Sequence, residues 1–278
     1  MASQTQTLTA MPGIGVRGIG MNKISVIALN TFRESVRDRV LYNLVLFVLI
    51  LVGASVFISE LSVNQEAKFI STLGLSSMLV FGALIAIFIG VGLVYKEIDR
   101  RTLYNLLSKP VHRHEFIIGK YFGLCLTLLV NSAMMLLAIE LALMYVNHGF
   151  TPLQWPVLLA GLFIYLELAL LVAIALMFSS FSTPMLAALF TFALYVIGHF
   201  SADLKLAAGL SQSPVVRAVL NLAYYLIPNL KNFNFITQAS HGEVVDTARA
   251  IWAVLYAVVY ISILLSAAVM IFQRRNFK

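Results

Sequence analysis

The sequence predicts an all-α integral membrane protein with six transmembrane helices. Of its 278 residues, 60% are hydrophobic and 11% are charged, whereas a soluble domain carries nearer 25% charged residues. Apolar runs that reach the roughly 20 residues needed to cross a bilayer occur several times along the chain. The N-terminal part adds an amphipathic helical pattern directly before the first of these runs.

The predicted spans cover approximately residues 40–59, 73–95, 116–146, 157–178, 185–200 and 250–272. The third run is longer than a bilayer requires, so it must tilt or project beyond the membrane. Thr183 and Pro184 make a suitable N-cap and first helical residue for the fifth span. Cys125 is the only cysteine, which excludes an intrachain disulfide.

Lys and Arg are distributed unevenly between the two sides of the membrane. Five lie in the N-terminal tail and first helix, six in the 95–120 stretch and three at the C-terminus, against five elsewhere. The positive-inside rule therefore places both termini and the 95–120 stretch in the cytoplasm, in a multi-pass protein of the cytoplasmic (inner) membrane. This asymmetry also accounts for the net charge of +7 without a nucleic-acid partner.

Residues 1–21 predict a flexible tail. They include GIGVRG at 13–18, which matches a dinucleotide-binding fingerprint, but the strand and the βαβ context that this motif requires are not readable here. Met21 opens a better pattern, so Met1 and Met21 both stay open as the start of translation.

Residues 22–39 predict an amphipathic helix. Its apolar stripe is formed by Ile24, Ile27, Ala28, Thr31, Phe32, Ser35 and Val36, while Lys23, Arg33, Arg37 and Arg39 line much of the remaining surface. A basic amphipathic helix directly before a span is expected to lie in the membrane surface. The alternative is an ordinary solvated helix.

The connection 96–115 is the most highly charged segment and also has a helical pattern. Leu103, Leu106 and Leu107 fall on one helical face, and Pro110 prevents the helix from continuing. The pattern predicts a short cytoplasmic amphipathic helix tied to spans two and three. It acts either as a lever that docks into another protein or as a loop that only fixes the topology.

Residues 201–249 predict an external segment that contains a helix. Ser213 and Pro214 resemble a helix start, an apolar stripe follows, and Pro228 ends it. The pattern does not distinguish a helix on the outer surface from a re-entrant one.

Few ionisable residues lie inside the predicted spans. Glu167, near the middle of the fourth span, is either a pathway or gate residue or one half of an interhelical hydrogen bond. Glu140, late in the third span, is either a pathway or gate residue or a residue that already reaches the outer interface. His199 is expected to be an interfacial residue rather than a ligand. No metal site is predicted, because His112 and His114 are two residues apart and do not share a helical face.

The run 95–123 resembles the second (ABC-2) class of ABC transporter permeases, through its E-x-x-x-x-T core (Glu97 to Thr102), the LLSKP turn and the following Gly119 and Lys120. More narrowly, it is similar to the branch linked to multicopper-enzyme maturation. The helix NTFRESVRDR, six spans and the basic C-terminus fit the same pattern, so the likeness covers residues 21–278.

The resemblance implies a membrane subunit that dimerises with a second permease subunit, of the same or another kind, and moves substrate outward using two separate ATPase subunits. ATP and Mg²⁺ would then be bound by the partner, since this chain has no Walker A sequence, and no catalytic residue is expected here. It also implies an ATPase-coupling set, Glu97, Arg100, Arg101, Thr102, Leu103, Leu106 and Leu107, and an interface helix that includes Phe32, Arg33 and Arg37.

Two other functions stay open, a polytopic membrane enzyme and a scaffold without turnover. An enzyme would need acid, base or nucleophile groups that converge at one depth, and the chain has neither G-x-S-x-G nor H-E-x-x-H. The apolar spans suit an amphiphilic cargo, and equally a cavity that forms only between two subunits.

Overall fold

The protein is described by a computed structural model that covers residues 23–37, 46–47, 50, 53, 65–99, 113–152, 154–211 and 213–274. All regular structure within these residues is helical. The helices are α1 (Lys23–Arg37), α2 (Glu66–Asp99), α3 (Arg113–Val146), α4 (Gln154–Ser179), α5 (Pro184–His199), α6 (Ser201–Leu210), α7 (Pro214–Leu226), a 3₁₀ turn (Leu230–Phe233), α8 (Ile236–Ser240) and α9 (Thr247–Arg274).

Helix α4 lies at the centre of the bundle. Every residue from 167 to 176 is buried, and α4 packs against α2, α3, α5 and α9. A helix that is apolar on all sides is suited to this position, because each of its faces meets another helix. The single carboxylate in this run, Glu167, is therefore carried into the interior.

Four helices are long and apolar enough to cross a membrane, within Glu66–Gly92, His114–Val146, Gln154–Ser179 and Thr247–Gln273. Only a few residues connect α3 to α4 and α4 to α5. Helix α9 lies at the edge of the bundle, since large side chains such as Trp252, Val258 and Ile263 are exposed.

A fifth candidate span is broken. Helix α5 begins at Pro184 after the N-cap residue Thr183, whose side chain makes no capping hydrogen bond. The segment Pro184–His199 then meets Asp203–Leu210 at an angle of 69°, so the pair is one bent span or a re-entrant element. The predicted fifth span ends where this bend begins.

The segment after the bend is more folded than a single helix. Helix α7 occupies Pro214–Leu226, the stretch between the two prolines that the sequence singles out. After α7 in the sequence, residues 228–246 contain the 3₁₀ turn and α8. We call residues 228–246 the plug segment, because six of its apolar side chains are buried in the core: Leu230, Phe233, Phe235, Ile236, Ala239 and Val245.

The helices around the charged connection are longer than predicted. Residues 96–99 continue α2 and residues 113–115 belong to α3, although the sequence interpretation places both stretches in the cytoplasmic loop. Nothing in 95–99 breaks a helix, and a helix longer than the membrane requires projects beyond it. The predicted tail 1–21, most of the predicted first span 40–59 and residues 100–112 lie outside the described residues.

Candidate functional site

Glu167 is the most deeply buried carboxylate in the described part of the chain. It lies in the middle of α4 and is 1% exposed. Removing a carboxylate from water costs several kcal/mol unless it is neutralised or paired. A residue of this type at this depth therefore needs a partner, and the structure provides one from α5.

The partner is His199, the last residue of α5. Its Nε2 atom lies 3.3 Å from Oε1 of Glu167, and its Nδ1 atom lies 3.1 Å from the carbonyl oxygen of Tyr195. A carbonyl only accepts hydrogen bonds, so Nδ1 carries a proton. Nε2 and the carboxyl oxygens of Glu167 lie close together but form no hydrogen bond among the described residues. The two groups are either a neutral acid and a neutral imidazole or a carboxylate and an imidazolium.

Both arrangements leave the pair with no net charge, which suits its burial. The ring of Tyr195 closes one side of the imidazole, with ring centroids 4.7 Å apart in an edge-to-face contact. Chemically, the pair places an acid and an imidazole together inside the protein, between α4 and the end of α5.

A second polar group fixes the bend that follows His199. The hydroxyl of Ser201 donates a hydrogen bond to Oδ1 of Asn229 at 2.7 Å, and the backbone N–H of Asn229 donates to the Tyr256 hydroxyl at 2.8 Å. Oδ1 of Asn229 also accepts from the backbone N–H of Lys231. One asparagine thus connects the bend, the start of the 3₁₀ turn and α9.

The plug segment packs against the helix bundle beside the Glu167–His199 pair. Phe235 packs on Phe163 of α4, with ring centroids 4.4 Å apart, and Phe163 lies one turn before Glu167. On the other side, Gly198 allows Leu230 and the Pro228 carbonyl to approach α5, since a Cβ at Gly198 would lie 2.8 Å from each of them. The carboxyl–imidazole pair therefore lies next to an apolar cover and a bent helix.

Glu140, the other predicted pathway residue, is not part of this pair. Its carboxyl oxygens are buried and form no hydrogen bond in the described part of the chain. Its backbone carbonyl accepts from Nε2 of Gln154 at 3.5 Å, near the connection between α3 and α4. Among the described residues, no set of three or more His, Cys, Asp or Glu side chains is placed to hold a metal ion.

The N-terminal helix α1 packs against the first turns of α3. A Cβ at Gly119 would lie 2.8 Å from Cβ of Ile27, and one at Gly123 would lie 2.6 Å from the Ala28 carbonyl oxygen. Small residues four apart allow two helices to approach this closely. The apolar stripe predicted for α1 therefore packs against α3 instead of lipid. The two glycines of α3 have no side chains, so α1 can approach closely.

A buried lysine marks the same contact. Lys120 of α3 is 1% exposed, its Nζ atom lies 4.0 Å from Oε2 of Glu34 on α1, and it lies 5.8 Å from the centre of the Phe116 ring. Phe32 is half-buried and Arg33 is exposed on α1, while the side chain of Arg37 lies outside the described part.

The coupling residues are mostly beyond what the structure describes. Glu97 lies in the last turn of α2, continuous with the second span, and its side chain is not described. The other members of the set lie within 100–112, outside the described residues: Arg100, Arg101, Thr102, Leu103, Leu106 and Leu107. Their role stays a prediction.

Two features of the site were missed by the sequence interpretation. The Gly119-x-x-x-Gly123 spacing was available as a signal, because it is a known pattern of helix contact in membranes. The partner of Glu167 was not, because 32 residues separate it from His199 and no local periodicity reports such a contact. His199, expected to be an interfacial residue, is 23% exposed at the end of α5 and points Nε2 toward Glu167.

Comparison with known protein families gives one match, to the family model described as ABC-2 family transporter protein, over residues 25–277. No curated protein matches the chain. The match extends from the third residue of α1 through α9, so it includes the pair, the plug segment and the α1–α3 contact. It is a match to the family as a whole and gives no support to the narrower branch linked to multicopper-enzyme maturation. This chain belongs to the ABC-2 family of transporter proteins.

Proposed function

We propose that the chain is the permease subunit of an ATP-driven exporter that works as a dimer of permease subunits with two ATPase subunits. Membership in the ABC-2 family supports a membrane-spanning component of an ABC transporter. ATP and Mg²⁺ are bound by the ATPase, and this chain supplies the route through the cytoplasmic membrane. Both termini face the cytoplasm, where the ATPase binds.

The observation that carries the proposed mechanism is the Glu167–His199 pair at the 69° bend after α5. In alternating access, one side of the route is closed while the other is open. We assign the closed side to the bend and the plug segment. Opening this side separates the plug from α4 and α5 and changes the contact between Glu167 and His199.

The α1–α3 contact supports a path for the motion. Helix α1 lies against the first turns of α3 at Gly119 and Gly123, and α3 begins six residues after Leu107, the last predicted coupling residue. A push of the ATPase on residues 97–107 therefore moves α3, and α1 moves with it. Coupling through a contiguous packed element of this type requires that the contact stays closed during the cycle.

The cargo fits an amphiphilic or lipid-like molecule, because the spans are apolar and carry few internal charges. The second permease subunit is a copy of this chain or a related chain. The narrower resemblance to the copper-enzyme branch stays a prediction, and a copper role there would concern a client enzyme rather than a site in this chain.

The membrane-enzyme alternative is less well supported by the site. An acid and an imidazole do lie together, but Nδ1 of His199 bonds the Tyr195 carbonyl and Nε2 lies 3.3 Å from a carboxyl oxygen of Glu167, so neither ring nitrogen faces a nucleophile. A general base needs a free nitrogen within hydrogen-bond reach of the group it deprotonates. The pair therefore suits a structural or gating role better than a hydrolytic one.

The decisive experiment is co-expression with the P-loop ATPase encoded nearest to this chain, followed by purification through a tag on the permease. Recovery of a complex with ATP turnover that exceeds that of the isolated ATPase supports the proposal. If no ATPase co-purifies in several detergents and in nanodiscs, the transporter function is rejected and the scaffold alternative gains support. A Walker A Lys→Ala variant of the ATPase controls for contaminating turnover.

A further inference from the structure

An apolar groove runs along the outer surface of α9 and has a cation at one end. Its volume is about 400 Å³. Its lining includes Asn232 of the 3₁₀ turn and, from α9, Arg249, Trp252, Ala253, Tyr256 and Val259. Neither the permease function nor the pair at Glu167 accounts for this groove.

Arg249 is held in place and still has donors to offer. Its Nη2 donates to the Asn234 carbonyl at 3.3 Å, and its guanidinium lies 4.7 Å from the centre of the Phe235 ring. A guanidinium has five N–H donors, and no carboxylate of the described residues forms an ion pair with Arg249. The exposed side chain therefore presents a positive charge and several N–H groups to a ligand at the end of the groove.

The dimensions of the groove match one leaflet of a membrane. Ten residues separate Arg249 from Val259 along α9, which at ~1.5 Å per residue is a length of ~15 Å. This is half of the ~30 Å hydrocarbon thickness of a bilayer. Trp252, 72% exposed near the start of α9, is the residue type enriched at the level of lipid headgroups.

We propose that this groove binds a membrane phospholipid, with its phosphate on Arg249 and one acyl chain along α9. The charge favours this occupant over a second copy of the chain. The lining of the groove has no carboxylate, so an apolar helix of a second copy laid along it would bury the guanidinium unpaired, which is costly. A phosphate supplies that counter-charge and accepts two N–H bonds of an arginine at once.

The proposed lipid has a structural consequence that is independent of the transport reaction. Arg249 is bonded to Asn234 and stacked on Phe235, and both residues belong to the plug segment. A phosphate on Arg249 restrains the same guanidinium from the membrane side. The bound lipid therefore stabilises the plug segment in its packed position, because a ligand that binds only the folded arrangement shifts the equilibrium toward it.

The test uses the full-length protein, purified in detergent and depleted of lipid. Phosphatidylglycerol, diacylglycerol with the same acyl chains, and inorganic phosphate are titrated separately, and bound ligand is counted by native mass spectrometry. Phosphatidylglycerol is expected to bind more tightly than diacylglycerol. Arg249→Gln should weaken phosphatidylglycerol binding roughly tenfold or more, while Arg217→Gln, which changes an exposed arginine outside the groove, should leave it unchanged.

A second pair of variants tests the acyl-chain part of the groove. Val259→Trp fills its far end and should weaken both lipids, whereas Val258→Trp, at an equally exposed neighbour, should weaken neither. Three results would overturn the proposal: equal effects of Arg249→Gln and Arg217→Gln; phosphate binding as tightly as the lipid; or a Val259→Trp variant that dissociates a dimer but retains its lipid. The last result would assign the groove to a second copy of the chain.

Discussion

Nε2 of His199 lies 3.3 Å from Oε1 of Glu167, so the last residue before the bend is tied to the centre of the most buried helix. A carboxyl group without a partner would destabilise the protein at this position. With the imidazole it becomes half of a neutral pair that connects α4 and α5. The contact is compatible with both interpretations of Glu167, as a gate residue and as one half of an interhelical bond. Substitutions at Glu167 can distinguish the two.

Glu167→Gln and Glu167→Leu separate these two roles. Gln keeps a polar group that can donate to Nε2 of His199, so the thermal stability of the purified protein should be kept. Leu replaces the polar neighbour of Nε2 with an apolar one and should lower the free energy of unfolding by about 1–3 kcal/mol. If Glu167 also works as a gate, Gln should change ATP turnover in the assembled complex, because the titratable carboxyl group is lost.

Glu140→Gln is the comparison for this pair of variants. It neutralises a carboxyl group in a neighbouring span without touching His199, so it controls for a general effect of charge inside the bundle. If both Glu167 variants keep wild-type stability and ATP turnover, Glu167 acts neither as a gate residue nor as one half of an interhelical bond.

Gly123→Ala should weaken the contact between α1 and α3. The added Cβ would lie 2.6 Å from the Ala28 carbonyl oxygen and from Cβ of Thr31, so one helix must shift. Overpacking of this kind typically costs about 1–3 kcal/mol, and a lower Tm together with weaker coupling of ATP turnover is expected. Gly92→Ala is the matched control, because nothing lies within 4 Å of its added Cβ. Equal Tm values for the two variants would contradict the close contact.

Phe235→Ala should open the plug segment. Phe235 is 1% exposed, packs on Phe163 and carries Arg249 on its other side. Truncation of a buried phenylalanine typically costs about 3–5 kcal/mol, so a marked loss of thermal stability is expected. Phe200→Ala changes an exposed phenylalanine at the bend and should have little effect. Similar losses for both variants would show that the plug segment is not a packed element.

The long spans could be predicted from the sequence because hydropathy is a local property. The runs at 116–146, 157–178 and 250–272 lie within α3, α4 and α9, and their ends differ from the helix ends by a few residues. The helix Pro214–Leu226 is similarly marked by its flanking prolines. In each case the signal lies in the residues that form the element.

The plug segment and the Glu167–His199 pair could not be predicted, because both depend on contacts between residues distant in sequence. Asn229 connects Ser201 and Tyr256, and nothing in the residues around any of the three indicates the other two. The bend after His199 could not be predicted either, because it is held by residues distant in sequence, such as Asn229. The docking of α1 on α3 could be predicted in part. The two glycines of α3 can be recognised in the sequence, but the helix that packs on them cannot.

Cysteine labelling from outside the cell tests the orientation. In a Cys125→Ala background, Val244→Cys places a thiol at a position that is 92% exposed in the plug segment, and an impermeant reagent should label it in intact cells. Asn105→Cys lies in the predicted coupling segment and should be labelled only after permeabilisation. Strong labelling at position 105 in intact cells would reverse the orientation derived from the uneven distribution of Lys and Arg.

Leu106→Asp tests the coupling segment. If residues 97–107 form a helix seated on the ATPase, Leu103, Leu106 and Leu107 are its anchors, since a buried aliphatic side chain contributes on the order of 1.5–3 kcal/mol. The substitution would bury an unpaired carboxylate, so the ATPase should no longer co-purify, or do so only weakly. The spans should still insert, because their apolar runs are unchanged.

Arg101→Ala is the companion variant. A charge nearer the rim of an interface sets encounter rate and orientation more than affinity, so its effect on co-purification should be smaller and should depend on salt. ATP turnover is measured in every complex that assembles. If Leu106→Asp keeps both assembly and turnover at wild-type levels, the segment does not transmit motion, and its cations serve only to hold it on the cytoplasmic side of the membrane.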